Sequence, residues 1–474
     1  MIKIIYKSPQ PPDSVASAYF RKQKYIGSKE RRFLSECVFD SLRNLTLYIY
    51  AFANAAKDTR LGARPPEKRR MDDDSAWGIC FASALLAHSR ATGGDNFSPA
   101  LLLNKILKID ENEILPLFET VLAGKSDSDS DSAKIIINNI IAAFDAVDLP
   151  PDAAAPEQIS IRYSMPQWIV EELAGHPMLD FDLPRISGLT GSFLTGAPLG
   201  LRVNTLLATR DSVLAELKEM GIDAVAGALS PDAIIVNERV RLLDSTLYMR
   251  GKIEVQDEGS QVISWAAAPA PGDRILDACA GAGGKSLHLS AITDGDSDIL
   301  ANDTEPRRLK EVSKRAKRAG YNNISTIVMN MRNISDKIKP IFDSFDLVLV
   351  DAPCSGMGTL RRNPMKKYTI TPRLLSRLAK KQYEILEFYS NFVRPGGALV
   401  YATCSIMPQE NEEVVINFLK NHQEFRPTPI APHLERFGIR ADGLGEDDHM
   451  LRLSPDKHNT DGFFVARMVK DIDF

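Results

Sequence analysis

From residue 274 onward, short apolar segments alternate with amphipathic ones, and this alternation constrains the fold more than any other feature of the chain. The segments of strand length are Arg274 to Ala278, Asp298 to Asn302, Ile324 to Met329, Phe345 to Val350 and Ala398 to Thr403. The predicted helices are Pro306 to Gly320, Pro372 to Phe392 and Pro408 to Asn421. Strands that alternate with helices predict an α/β fold with a parallel sheet covered on both faces. Gly462 to Val469 alternates without a following helix, which predicts an antiparallel closing strand.

A chain of 474 residues exceeds what one hydrophobic core usually serves, so we expect two or three domains. Helical spacing of apolar residues predicts an all-α domain over 1–149, and the proline-rich stretch after it predicts a linker. The Ser/Asp alternation at 126–132 predicts a flexible loop. Residues 158–268 form a small α+β segment, with strands at Leu199 to Val203 and Ala233 to Val236 and a helix at Thr209 to Met220. The α/β domain then spans 269–474.

Composition excludes several classes of protein. Hydrophobic residues make up 44% and charged residues 25%, as in an ordinary globular protein. No apolar run reaches the ~18 residues of a membrane span, and no secretory signal is visible, so we expect a cytoplasmic protein without a membrane partner. Five scattered cysteines without a CxxC pair predict neither a disulfide framework nor a metal site. A net charge of −4 neither supports nor excludes an RNA partner.

A glycine-rich turn follows the first strand of the predicted sheet and reads Asp277-Ala-Cys-Ala-Gly-Ala-Gly-Gly-Lys285. Nucleotide-like ligands bind at the carboxyl edge of such sheets, where glycines allow close backbone approach and a helix N-terminus offers amides. The dinucleotide fingerprint fails at Ser286 and the P-loop fails at Cys279, since both patterns need glycine there. Asp303, at the end of the second strand, can accept hydrogen bonds from ribose hydroxyls. The combination predicts an adenosine-containing cofactor, S-adenosylmethionine.

Two cysteines, Cys354 and Cys404, follow the ends of the fourth and fifth strands, at the same edge. A lone cysteine is more often core filler, and Cys279 is better assigned to that role. A thiolate near a methyl donor suits a pyrimidine, because addition at carbon 6 makes carbon 5 nucleophilic. A second acid or base is then useful for losing the carbon 5 proton and the thiol. Asp351 can bind the exocyclic amine and protonated ring nitrogen of cytosine, which favours cytosine over uracil.

The segments DACAGAGGKS, LVDAPCSGMGTLRRNP and YATCSIMPQENEEVV resemble the motifs of the RsmB/Sun family of RNA cytosine-5 methyltransferases, and the resemblance runs from about Ser160 to the end. It implies a Rossmann-like methyltransferase sheet preceded by a degenerate RNA-recognition-like subdomain. It also implies that Cys404 is the nucleophile and that Cys354 assists breakdown of the adduct, with Asp351 and Lys285 completing the catalytic set. The residues implied for the cofactor pocket are Cys279, Ala280, Gly281, Ala282, Gly283, Gly284, Lys285, Asp303, Asn330 and Asp351.

Two features depart from the family pattern. The turn reads AGAGG where the family usually has AAPGG, and Asn330 stands where an acidic residue is usual. An amide oxygen still accepts a hydrogen bond from the adenine amine, so we expect cofactor binding to be kept.

Several alternatives stay open at this point. Chemistry alone does not say which cysteine attacks, and in DNA cytosine methyltransferases it is the one in the PC motif. The segment YFRKQKYIGSKERRFLSECVFDSLRN is similar to the NusB-like domain of RsmB-type proteins, which favours small-subunit (16S-type) ribosomal RNA over transfer RNA. A non-catalytic ribosome-assembly protein and a methyltransferase for DNA or a small molecule are the other candidates. We expect a monomer whose RNA contacts are the basic residues after the Cys354 loop, namely Arg361, Arg362, Lys366 and Lys367.

Overall fold

The computed structural model of the chain describes residues 12–22, 35, 38–44, 155–179, 181–237, 240–329, 331 and 341–473. Asn330, the Ser/Asp segment 126–132 and most of the predicted helical domain 1–149 lie outside the described residues. Contacts divide the chain into two units, Met1–Thr195 with Arg361–Thr369 and Gly196–Leu360 with Ile370–Phe474. The three-domain division at 1–149, 158–268 and 269–474 stays a prediction.

The described part of the first unit is helical. Its helices are α1 (Pro12–Lys22), α2 (Ala155–Arg162), α3 (Gln167–Gly175) and α4 (Leu183–Ser192), with the one-turn helix Lys366–Thr369. Arg361–Thr369 is bonded to two distant parts of this unit. The Lys367 ammonium donates to the carbonyl of Arg43 at 2.7 Å, and the Tyr368 hydroxyl donates to the carbonyl of Ser164 at 3.2 Å.

The second unit begins with a small antiparallel sheet. Its elements are β1 (Leu199–Val203), α5 (Arg210–Glu219), β2 (Ala224–Ala226), β3 (Ala233–Val236), α6 (Thr246–Met249) and β4 (Ile253–Val255). The strand order β2-β3-β1-β4 with this βαββαβ succession is the ferredoxin-like arrangement. Leu201, Val213, Leu217 and Ile234 are fully buried in its core, because alternate residues of the strands face the helices.

The large sheet of this unit contains five parallel strands, β5 (Arg274–Asp277), β6 (Asp298–Asn302), β7 (Ile324–Ile327), β8 (Phe345–Asp351) and β9 (Val393–Thr403). Its antiparallel extension contains β10 (Phe425–Pro427), β11 (Met450–Leu453) and β12 (Phe463–Lys470). The helices around it are α7 (Glu258–Ala267), α8 (Gly284–Ile292), α9 (Pro306–Ala319), α10 (Pro372–Ser390), α11 (Glu412–Asn421), α12 (Ala431–Glu435) and α13 (Pro455–His458).

Successive residues of β8 belong to opposite faces of this sheet, and both faces are buried. Val348 and Val350 join one hydrophobic cluster, whereas Leu347 and Leu349 join the other. A strand buried on both faces must be apolar throughout, which explains the run Leu-Val-Leu-Val. The predicted α/β fold with a covered parallel sheet is therefore confirmed.

The order β9-β8-β5-β6-β7 places the reversal of strand order between β5 and β8. Ligands of open α/β sheets bind beyond the carboxyl ends of the strands at such a reversal. The glycine turn after β5, Asp351 at the end of β8 and Cys404 after β9 all follow these ends. The topology thus gathers most of the predicted site at one edge.

The predicted elements differ from the observed ones mainly at their ends. The closing strand at Gly462 to Val469 is present as β12, antiparallel to β9. The predicted helix Pro408 to Asn421 is wrong at its start, because a 3₁₀ turn over Pro408–Glu410 comes first and α11 begins at Glu412. Asn411 separates the two with a φ of −116° and a ψ of −98°, which lies outside the helical region.

Candidate active site

Two glycines shape the turn after β5. Gly281 has a φ of 56° and Gly283 a φ of 83°, values that cost other residues about 1–2 kcal/mol. A Cβ at Gly283 would also lie 3.0 Å from side-chain carbons of Leu287 and Val312. α8 then begins without a side-chain cap on its first amides. An uncapped helix N-terminus after a glycine turn is suited to hold an anionic group of a ligand.

Asp303 connects this turn to the end of β6. One carboxylate oxygen accepts the Gly281 amide at 3.0 Å, and the other accepts the Glu305 amide at 2.8 Å. The Arg308 guanidinium lies 3.5 Å from the same carboxylate. Asp303 therefore orders the turn as well as its own loop, and its contact with a ribose stays a prediction.

Asp277, the last residue of β5, is a fully buried acid directly before the turn. The Ser286 hydroxyl donates to its Oδ2 at 2.6 Å, whereas Oδ1 has no hydrogen-bond partner among the described residues. Burial raises the pKa of Asp277 to about 6, since charging an enclosed carboxyl is unfavourable.

Lys285, in the first turn of α8, and Asp351, the last residue of β8, form an ion pair. The Lys285 ammonium lies 2.5 Å from the Asp351 carboxylate. Burial opposes the charge of Lys285, but attraction to Asp351, Asp277 and Cys404 outweighs it, and the pKa of Lys285 is raised. Lys285 therefore stays a cation beside both Asp351 and Cys404.

The two predicted cysteines meet at this edge, with their sulfur atoms 3.4 Å apart. The loops that carry them are also joined by the backbone, since the Gly358 amide donates to the Cys404 carbonyl at 2.9 Å. The hydrogen bond with Cys404 and burial together raise the pKa of the Cys354 thiol. Cys354 therefore tends to keep its proton when it faces Cys404. Burial likewise raises the pKa of Cys279, which packs beside one of the sheet's core clusters.

Two site features escape sequence reasoning. Glu410 is fully buried and accepts hydrogen bonds from Ser355 and Ser405, the residues that directly follow the two cysteines. Arg202, on β1, is also fully buried and donates to the Gly284 carbonyl at 2.6 Å and to Gln256. A charged residue is expected at the surface unless tertiary contacts are known, so composition singled out neither position, although Glu410 lies within the motif YATCSIMPQENEEVV.

The predicted RNA contacts after the Cys354 loop need correction. Arg361 is 3% exposed and Lys367 is 2% exposed, both in the first unit. Burial and the neighbouring Arg43 lower the pKa of Lys367 to about 7. These two side chains are structural rather than surface cations. Arg362 and Lys366 are half-buried, and their contact with RNA stays a prediction.

Two family models match the chain. The model described as "16S rRNA methyltransferase RsmB/F" matches residues 264–469, and that of the "Methyltr_RsmF/B-like, ferredoxin-like domain" matches residues 192–242. A protein of Bacillus subtilis named "Probable ribosomal RNA small subunit methyltransferase B" is 32% identical over 339 residues, 70% of each chain. The chain belongs to the RsmB/F family. It is an RNA methyltransferase, and the predicted resemblance is confirmed.

A second relative agrees with this membership, and two solved structures share the fold. A Synechocystis protein, also named "Probable ribosomal RNA small subunit methyltransferase B", is 26% identical over 94% of this chain and 92% of its own length. The crystal structure of PH0851 covers 99% of this chain and 98% of its own with a TM-score of 0.70 at 24% identity. A methyltransferase homologue from Pyrococcus horikoshii covers 68% of this chain and 100% of its own with a TM-score of 0.54 at 25% identity.

Two kinds of feature are absent from the described residues. None of its described helices combines the length and apolarity that a membrane crossing needs. Within those same ranges, His, Cys, Asp and Glu side chains form no group of three that could hold a metal ion.

Proposed function

We propose that the protein transfers a methyl group from S-adenosylmethionine to carbon 5 of a cytosine in small-subunit ribosomal RNA, through a covalent adduct with Cys404. The thiol pair 3.4 Å apart, beside the Lys285–Asp351 ion pair, carries this proposal. The names of the B. subtilis and Synechocystis relatives support ribosomal RNA as the substrate. The domain preceding the linker, 1–149, is proposed to be NusB-like and to bind that RNA.

The residues of the β5 edge fit S-adenosylmethionine. The backbone of Gly281 and Gly283 leaves room where side chains would strain the turn, and the uncapped start of α8 would hold the carboxylate of the cofactor. Asp303 would accept from the ribose hydroxyls, and Asn330 from the adenine amine. When bound, S-adenosylmethionine supplies an electrophilic methyl group.

The first role of the protein is to add a thiolate to the pyrimidine ring. The Cys404 thiolate, stabilised by the nearby Lys285 cation, forms a bond to carbon 6. Electrons move from the 5,6 double bond toward the ring nitrogen, which takes up a proton. Asp351 accepts hydrogen bonds from that N–H and from the exocyclic amine, and so stabilises the electron-rich ring. Carbon 5 becomes nucleophilic enough to accept a methyl group.

The second role is to release the product. A water molecule accepts the carbon 5 proton, the bonding electrons restore the 5,6 double bond, and the carbon–sulfur bond to Cys404 breaks with its electron pair left on sulfur. The ring nitrogen returns to solvent the proton that it took up. The Cys354 thiol, held 3.4 Å from the departing sulfur, donates a proton to it. A Cys354 that stays protonated before this step is consistent with its raised pKa and with Cys404 as the attacking residue.

An adduct experiment tests this proposal. Wild type, Cys404→Ala, Cys354→Ala and, as a control for loss of an unrelated thiol, Cys80→Ala are incubated with ribosomal RNA and S-adenosylmethionine, then separated on denaturing gels. We expect a stable protein–RNA adduct with Cys354→Ala and none with Cys404→Ala. The opposite pattern would exchange the two roles, and methyl transfer by Cys404→Ala would refute the covalent route.

The same preparation separates the other candidates. A non-catalytic assembly protein would bind RNA but transfer no labelled methyl group with any variant. Bisulfite sequencing of ribosomal and transfer RNA from cells lacking the gene then identifies the substrate, since only the true target loses its 5-methylcytosine.

A further inference from the structure

The carboxylate of Glu410 lies at the centre of a buried hydrogen-bond network between the two cysteine loops. It ends the 3₁₀ turn Pro408–Glu410 and is fully buried. Oε1 accepts the Ser355 amide at 2.8 Å and the Gln382 amide group at 2.9 Å. Oε2 accepts the hydroxyls of Ser355 and Ser405, each at 2.5 Å. Four donors satisfy both oxygens, which is what a buried carboxylate needs to remain charged.

Three of the four donors belong to the residues that directly follow the two cysteines. Ser355 directly follows Cys354 and Ser405 directly follows Cys404, so a single carboxylate oxygen joins the residues next to both sulfurs. Gln382 also donates to the carbonyl of Pro353, on the other side of Cys354. The Cys354 loop is therefore bonded to this network on both sides of its thiol.

We propose that Glu410 is a positioning residue that holds the loops of Cys354 and Cys404 at the separation required for proton transfer between the two thiols. This inference rests on the proposed function for its catalytic meaning, but the geometry it describes is a property of the protein alone. Glu410 touches neither thiol through a hydrogen bond, and it acts on both through the adjacent serines.

The negative charge of Glu410 has a second effect on the pair. It is one of the groups that raise the pKa of Cys354, after the hydrogen bond with Cys404 and burial. Glu410 thus helps to keep Cys354 in the form that donates a proton. The length of the Glu410 side chain positions the two loops, and its charge raises the pKa of Cys354. Two substitutions separate these effects.

Glu410→Asp keeps the charge but shortens the side chain by one carbon–carbon bond, about 1.5 Å, so it cannot reach all four donors. Glu410→Gln keeps the reach but removes the charge. Glu412→Gln is the matched control, because Glu412 is 8% exposed, lies two residues away and is paired with Arg452 rather than with either serine.

The separation of the thiols is measured without RNA or cofactor. Two protein thiols and oxidised glutathione exchange to give a protein disulfide and two reduced glutathiones, and the equilibrium gives the effective concentration of Cys354 toward Cys404. We expect at least a tenfold decrease for Glu410→Asp, and values within threefold of wild type for Glu410→Gln and Glu412→Gln. Ser405→Ala, which removes one hydrogen bond of the network, should decrease it three- to tenfold and replaces Glu410→Asp if that variant does not fold.

Two further measurements test the catalytic consequence. With RNA and S-adenosylmethionine, kcat of Glu410→Asp should fall at least tenfold while both KM values stay within threefold. In Glu410→Gln, the pH dependence of Cys354 alkylation by iodoacetamide should shift to lower pH, because a nearby negative charge is lost.

An unchanged effective concentration in both Glu410→Asp and Ser405→Ala would overturn the inference, and so would an equal loss in Glu412→Gln. A different outcome would refute the proposed function and keep the inference. In that outcome Glu410→Asp lowers the effective concentration of the two thiols, but Cys354→Ala forms no adduct with RNA.

Discussion

Gly283→Ala should destabilise the second unit by two separable effects. The residue has a φ of 83°, and placing an L side chain in that region costs about 1–2 kcal/mol. The new methyl group would lie 3.0 Å from Leu287 and Val312, and relieving such overpacking costs a further ~1–3 kcal/mol. We expect the free energy of unfolding to decrease by about 2–5 kcal/mol in total.

Gly320→Ala isolates the backbone effect, because Gly320 has a φ of 80° and no atom within 4 Å of the added methyl group. It should cost only the ~1–2 kcal/mol of the left-handed conformation. The assay is urea denaturation followed by tryptophan fluorescence in a Trp77→Phe, Trp168→Phe background, which leaves Trp265 of the second unit as the probe. Equal destabilisation by the two substitutions would refute the steric argument at the cofactor turn.

Replacing any of three buried ionisable side chains should have a measurable effect on stability or cofactor binding. Asp277→Asn removes a carboxyl whose pKa burial raises from 3.8 to about 6. Between these values the folded state binds a proton that the unfolded state has lost, so the stability of wild type relative to this variant should decrease by about 2 kcal/mol from pH 4 to 7. A difference that does not change with pH would contradict this prediction. Lys367→Met removes an amine whose pKa burial lowers from 10.5 to about 7. Between these pH values the unfolded state binds a proton that the folded state does not, so the stability of wild type should rise from pH 7 to 10, and that of the variant should rise less. Unfolding followed by Trp168 fluorescence measures the difference. Arg202→Met loses the hydrogen bond to the Gly284 carbonyl. Calorimetry should show that the variant binds S-adenosylmethionine about tenfold more weakly, the equivalent of ~1.4 kcal/mol. Arg241→Met, a control at an exposed position, should bind as wild type does.

The parallel sheet was predictable because its strands are buried on both faces. The centres of β6 and β8, residues 299–301 and 347–350, are apolar at every position, and such runs stand out against amphipathic helices. The strands β2, β4 and β10 were missed because three residues are too few to show a period of two. The length of a strand, rather than its composition, decided whether the sequence predicted it.

The site was predictable where its reactive residues lie at or shortly after the end of a strand, as Asp351 and both cysteines do. It was not predictable where distant segments meet. Thr403 donates to the Asn411 side chain at 2.6 Å, and this tertiary contact interrupts a pattern that otherwise favours one continuous helix. Glu410 and Lys367 are of residue types that usually lie at the surface. Only the tertiary structure shows that both side chains are buried.

The membership of Arg361–Thr369 in the first unit has a consequence for how this protein can be divided or recombined. The chain passes between the units at 195–196, 360–361 and 369–370, so the segment that leaves the Cys354 loop is folded with partners such as Arg43 and Ser164. A fragment beginning at residue 196 would lack the Arg43 carbonyl that accepts the hydrogen bond from Lys367. In a chimaera with the N-terminal unit of another protein, Lys367 would pack against different residues. Exchange of the two units between homologues therefore requires the exchange of Arg361–Thr369 as well.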